Sequence, residues 1–297
     1  MDKARISEFT KGYSIETTVR DAGRIESYAD HLPKGTQVFV AHVPGTTPAE
    51  AVALAKRVKT EGMDPIPHIV ARRTQNLTTL EDLIKQMVND AGVEQILLVA
   101  GDIPQPEGEL DNTLQILDSG LLEKYGIKKI RVAGHPEGHV AAPDAAIMDA
   151  IKRKNAYAKE HGVTMALTTQ FTFDAKPIFT WEDKIRADGN VLPYYVGLPG
   201  LATLKTLIRF ATDCGVGESL KTVMRHAGNM TKLLAVTTPD DQLIALTNHK
   251  AANPDTLLRG IHFFPFGGLK RTAEWANKIV AGEFDFNKKG DGLEVKS

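Results

Sequence analysis

Apolar and polar positions in this chain fall into alternating blocks of two periods. The sharpest block is Gln95-Ile96-Leu97-Leu98-Val99-Ala100-Gly101-Asp102-Ile103-Pro104, an apolar run that stops at Gly-Asp. A continuous run containing β-branched residues and bounded by a turn reads as a strand buried on both faces, the kind found in parallel sheets. Asp102 then stands just past the C-terminal end of that strand, the edge at which βα architectures bind ligands. An ordinary alternative is a helix N-cap or an Asx-turn ahead of Pro104.

The same pattern repeats along the chain. Strand-like runs cover 13–19, 36–43, 65–70, 129–133, 164–169, 191–196 and 260–264. Between them the period changes to that of helices, over about 22–31, 47–62, 78–92, 110–125, 143–161, 181–187, 201–213, 218–226 and 269–281. Leu80, Leu83, Ile84, Met87 and Val88 form one apolar stripe at i, i+3, i+4, i+7 and i+8, and Thr47-Pro48 has the form of a capped helix start. Eight strands, each followed by helix and none joined to the next by an Asn-Gly or Asp-Gly hairpin, predict an α/β chain folded as a (β/α)8 TIM barrel. The expected organisation is one barrel domain over 1–287, with extra helices in an insertion at about 214–259 between strands seven and eight. Residues 288–297 contain Gly and Lys without an apolar period and are expected to form a poorly ordered tail.

Composition narrows the partners. The chain has 297 residues, 42% hydrophobic and 25% charged, with a net charge of −1 and a pI near 6.8. Nothing in that balance calls for nucleic acid or an anionic membrane. The single cysteine, Cys214, excludes an intramolecular disulfide and any multi-thiolate zinc site, and reads as a small buried apolar residue. The polar first eleven residues and the lack of a long apolar run give a reading without signal peptide or membrane span, hence a cytoplasmic protein.

In a barrel, the C-terminal rim would collect Glu16, His42, His68, Asp102, His135, Glu137, His139 and Gln170. Each alone has a structural explanation, a hydrogen-bonded histidine or a capping amide; together on one face they describe a candidate active site. Histidines with a carboxylate suit a metal-dependent barrel hydrolase. Against it, the first strand lacks a His-x-His pair, and His135 and His139 lie in a Pro/Gly loop, so no metal ligand is assigned. No Gly-x-Gly-x-x-Gly follows the first strand and no Walker lysine motif is present.

Ser14-Ile15-Glu16, Pro67-His68, Ala100-Gly101-Asp102-Ile103-Pro104, Gly134-His135-Pro136-Glu137-Gly138-His139, Ile151-Lys152-Arg153-Lys154 and Thr169-Gln170-Phe171-Thr172-Phe173-Asp174 occur in an order that resembles methylenetetrahydrofolate reductases. That resemblance implies a flavin-containing barrel moving a hydride between NADH or NADPH and 5,10-methylenetetrahydrofolate, interconverting it with 5-methyltetrahydrofolate. It implies Glu16 as general acid and Asp102 near flavin and pterin, both catalytic, with Gln170, Asp102 and Leu204 on the folate. FAD would meet His68, Ala100, Gly101, Asp102, His135, His139 and Lys154. Ala100 stands where the family commonly has arginine, His135 where it has tyrosine, and Leu204 where a phenylalanine packs between the two substrates. The expected partners are folate and nicotinamide, with a homo-oligomer left open. A folate-binding barrel without the hydride step remains the other alternative to the metal-dependent hydrolase.

Overall fold

The computed structural model of the chain describes residues 2–139, 142–216, 220 and 233–296. Eight parallel strands close into a barrel in sequence order: β1 (Ser14–Thr18), β2 (Gln37–Ala41), β3 (Asp64–Val70), β4 (Gln95–Val99), β5 (Lys129–Gly134), β6 (Thr164–Phe171), β7 (Tyr194–Pro199) and β8 (Leu258–Phe264). Ser14 opposite His262 and Ile15 opposite Phe263 join the last strand to the first. With helices between the strands, this is the expected (β/α)8 TIM barrel.

Alternation along the strands divides the interior in two. Outward residues such as Ile15, Val38, Ile69, Leu98, Val132, Leu167, Val196 and Ile261 are buried under the helices in one large apolar cluster, each contributing about 1.5–3 kcal/mol of burial. Inward positions are different in kind. Phe39, Ile66 and Leu97 form a separate small apolar plug in the lumen, and the inward alternation of β1, β3, β5 and β8 places Glu16, His68, Arg131 and His262 around it.

Several elements differ from the expectation for local reasons. The helix expected over 22–31 does not form; a single turn, Val19–Ala22, ends there, and Arg57 donates to the carbonyls of Ala22, Ile25 and Glu26, which a continuing helix would need for itself. The helix at 110–125 splits into Thr113–Asp118 and Leu121–Lys124 at Gly120, whose φ of 68° only glycine adopts readily. Asn76, rather than a threonine, caps the helix Leu77–Asn89, exchanging bonds with Thr79. Strand β7 begins at Tyr194, leaving Val191 72% exposed. The polar N-terminus carries an unforeseen helix, Lys3–Thr10, which buries Ile6 and Phe9. The insertion contributes the helix Asp240–Ala252; the helix expected over 218–226 lies, apart from Leu220, outside the described residues. The segment read as a tail carries the strand Leu293–Val295, paired antiparallel with Phe284–Phe286, with Leu293 buried.

Candidate active site at the C-terminal end of the barrel

Three inward side chains from β1, β3 and β8 meet at the centre. Glu16 Oε2 lies 3.6 Å from His68 Nε2 and 4.0 Å from His262 Nε2. Ser14, one inward position earlier on β1, is 2.9 Å from His262 Nδ1 through its Oγ. Burial raises the Glu16 carboxyl above its usual range, His68 partly offsets this, and Asp21 adds to it. Burial pushes His68 down to about 4, opposed by Glu16 and helped by His262 and His42. His262 is pushed down to about 3 by burial and by the charge of Arg131. The group therefore consists of two neutral imidazoles around a carboxyl that holds its proton more tightly than an exposed one, the pattern of an acid able to give a proton near neutral pH.

Around this centre the βα loops supply charge. Asp102 is 66% exposed at its side chain, with Arg73 Nη2 3.6 Å from its carboxylate. Arg73 also donates to Glu107 at 2.8 Å, and Arg72 donates to Asp111 and to the Ile103 carbonyl. The loops after β3 and β4 are thus tied together, with Arg72 N–H bonded to the Ala100 carbonyl. Gly101 has φ 104°, and a Cβ there would come within 3.0 Å of Val70 Cγ1, so both conformation and space require glycine. His42 follows β2; burial and then Arg73 lower its pKa.

In the neighbouring loop after β5, His135 and His139 meet edge to face at 4.7 Å. His135 is pushed down to about 3 by burial, His139 and Lys154. Lys154 projects from the helix Asp144–His161 and is 6% exposed, and burial pushes its amine down to about 8. No acceptor faces that amine among the described residues, which suits it to an anionic oxygen of a ligand. Glu137 lines a cleft of about 540 Å³ with His135, Asp144, Lys176 and Lys184. Gln170, half-buried near the end of β6 where the register shifts, accepts from the Phe171 N–H through Oε1.

The structure thus brings Glu16 and His68 together, sets Asp102 beside Arg73, and groups His135, His139 and Lys154. Leu204 is buried at the start of the helix Leu204–Asp213, and none of these hydrogen bonds and ion pairs includes it. Cys214, expected to be buried, is exposed. Desolvation of the thiol, with the charges of Glu16, Asp213 and Asp102, pushes it up to about 12, away from a nucleophile. Sequence reasoning missed His262, Arg131, Arg72 and Arg73. His262 and Arg131 carried a signal, a polar side chain at an inward position of an otherwise apolar strand. Among the described residues, no group of three or more His, Cys, Asp or Glu side chains is placed to hold a metal ion, and no helix is long and apolar enough to cross a membrane.

Comparison with known proteins bears on the same segments. A (β/α)8 architecture is shared with a xylose isomerase domain containing protein from Salmonella typhimurium LT2, at TM-score 0.51 and 11% identity, covering 91% of this chain and 98% of that one. An uncharacterized protein from Clostridium thermocellum, which binds two copies of 5-methyl-5,6,7,8-tetrahydrofolic acid, matches at TM-score 0.50 and 9% identity over 89% of this chain and 94% of that one. At such identities the likeness is one of fold. The family model of methylenetetrahydrofolate reductase, by contrast, matches residues 15–237, a span that takes in Glu16, His68, Asp102, His135 and Gln170. A match over well over half of the sequence makes this chain a member of the methylenetetrahydrofolate reductase family.

Proposed function

We propose that the chain is a methylenetetrahydrofolate reductase, transferring a hydride between NADH or NADPH and 5,10-methylenetetrahydrofolate by way of FAD. The observation that carries this reading is Glu16, a carboxyl whose pKa is raised by burial and which faces two imidazoles that stay neutral. Reduction of the methylene bridge needs a proton before a hydride. Protonation at the folate N10 lets the N10–CH2 bond break and leaves a cationic iminium at N5, whose carbon accepts the hydride and becomes the methyl group. Glu16 supplies the proton. Asp102, at the rim, favours the cation as it forms, and Arg73 holds that carboxylate in place. Gln170 meets the amide edge of the pterin with its paired donor and acceptor.

The chain's own residues fit FAD at one place in particular. A buried amine without an acceptor, Lys154, beside the neutral rings of His135 and His139, suits phosphate or ribose oxygens. When bound, FAD supplies a two-electron carrier between nicotinamide and folate. His68, Ala100, Gly101 and Asp102 form the remaining wall; Ala100 offers no side-chain donor there, and Arg73 already pairs with Asp102 and Glu107.

Glu16→Gln tests the reading. The amide cannot donate the proton, so folate-dependent turnover falls by ~10²- to 10⁴-fold, while reduction of added FAD by the nicotinamide continues. Near-normal methylenetetrahydrofolate reduction by this variant overturns the assignment of the acid. Folate binding without any nicotinamide-dependent turnover in the unaltered protein would favour a binding barrel instead. The cofactor is tested by titrating the protein with FAD and following flavin fluorescence, with Lys154→Met expected to weaken binding at least tenfold, about 1.4 kcal/mol or more.

A further inference from the structure

Strand β6 carries one residue more than one of its neighbours matches. Against β5 its register runs unbroken, with Ala133 opposite Thr168 and Gly134 opposite Thr169. Against β7 it breaks: Thr168 pairs with Tyr195 and Phe171 with Gly197, so three steps on β6 answer two on β7. That is a β-bulge at Thr169 and Gln170, a feature rare between parallel strands and one that re-aims side chains where it occurs. Its effect shows at Phe171. Unbroken alternation from Leu167, which is buried under the helices, would send Phe171 to the same outer side. Instead Phe171 packs on Phe264 and Phe266 at 5.3 and 4.9 Å, in a cluster separate from the outer core.

Two hydrogen bonds hold the bulge. The Gly197 N–H donates to the Thr169 hydroxyl at 2.9 Å, and Thr169 is only 1% exposed. The Phe171 N–H donates to Gln170 Oε1 at 3.0 Å. This second bond fixes the direction of the amide: its oxygen is held by the chain, and Nε2 with the remaining lone pair of Oε1 is left for a ligand. Gly197 provides the seat. A Cβ there would lie 2.5 Å from the Thr169 carbonyl oxygen, 2.7 Å from Phe264 Cε2 and 2.9 Å from the Gln170 carbonyl carbon, so the bulge rests directly on the glycine backbone.

We propose that Thr169 is a positioning residue for folate: its buried hydroxyl holds the bulge in register and thereby sets the Gln170 amide that meets the pterin. This rests on the reading of Gln170 as a folate contact. Replacing the hydroxyl by a methyl group leaves the Gly197 N–H buried without an acceptor, a cost the strand relieves by giving up the bulge. The Phe171 N–H and Gln170 Oε1 then lose the geometry that joins them. Thr169 touches no ligand in this role; it acts through Gln170.

The test is equilibrium titration with 5-methyltetrahydrofolate in a double-mutant cycle, together with amide hydrogen exchange. Thr169→Val, which keeps the side-chain shape, weakens folate about tenfold and speeds exchange at Gly197 and Phe171. Thr169→Ser, which keeps the hydroxyl, restores both. On a Gln170→Leu background, adding Thr169→Val weakens folate by less than about twofold, because the residue it positions is gone. Effects that multiply independently, or a serine variant as weak as the valine one, overturn the proposal. Unchanged exchange in Thr169→Val beside a weakened Gln170→Leu removes the role of Thr169 alone, whereas unchanged folate affinity in Gln170→Leu removes the reading beneath it. If Thr169→Val does not fold, the unaltered chain decides: fast exchange at Gly197 overturns the proposal, and protection of Gly197 and Phe171 without folate supports it.

Discussion

On the proposed reading, Glu16 holds function and stability in opposition. Its folded pKa lies above the unfolded value, so its contribution to stability is full below the unfolded pKa and is lost as pH rises through the folded one. The neutral isostere escapes that loss. Glu16→Gln is therefore expected to raise the melting temperature at pH 7 while removing folate turnover, with the two proteins converging near pH 4; a lower melting temperature at pH 7 would contradict the raised pKa. At Gln170 the expected effect is on binding. Gln170→Leu leaves the pterin amide unpaired and weakens folate by about 1 to 3 kcal/mol, read by equilibrium titration. Glu16 and His68 were legible as polar residues within strand-like runs. His262 and Arg131 bore an inward-facing signature too, but what makes them matter is a partner on another strand, which periodicity does not report.

At the scale of elements, Glu182 ties the barrel to the insertion helix. Buried in the helix Lys176–Ala187, its carboxylate accepts from Tyr194 OH at 2.8 Å, Thr256 Oγ1 at 2.7 Å and the Leu257 N–H at 2.8 Å. His249, from the helix Asp240–Ala252, lies 3.0 Å away and stacks on Phe179 at 4.1 Å. Burial alone would raise this carboxyl; the bonds from Thr256, Leu257, Tyr194 and His249 outweigh it and leave it below its usual range. The stabilisation it gives is then present above the unfolded pKa and lost as pH falls through the folded one. Glu182→Ala is expected to lose about 3 kcal/mol in urea unfolding, since the donors are left buried without an acceptor. Glu182→Gln should flatten the fall in melting temperature between pH 5 and 3. In sequence this residue reads as one charge on an amphipathic helix, and Arg57, which ends the helix after Ala22, reads the same way.

For the whole molecule, the segments at 3–10 and 284–295 are joined to each other and to the last helices. Ser7 of the helix Lys3–Thr10 donates to the Ile279 carbonyl, and Lys3 pairs with Asp285. The strand Leu293–Val295 pairs with Phe284–Phe286, and the Leu293 N–H is bound by Asp240. Removing residues 288–297 should cost about 1.5 to 3 kcal/mol through exposure of the apolar surface that Leu293 covers. Urea unfolding measures it directly, and an unchanged midpoint would show the segment to be dispensable.

The sequence by itself determined the barrel and most of its element order, because strand and helix periods are local and a strand buried on both faces writes an unbroken apolar run. It also placed Asp102 and Gln170 at strand ends and Glu16 within the first strand, since a strand's course is a local property. Tertiary structure alone decided which of these side chains face one another. It set His262 between Ser14 and Glu16, brought Arg73 to Asp102 in the loops where Ala100 has no side-chain donor, and left Arg131 without a counter-charge in the lumen. Those relations depend on barrel closure and register, which join residues far apart in the chain, and on burial, which raises the pKa of an ordinary glutamate.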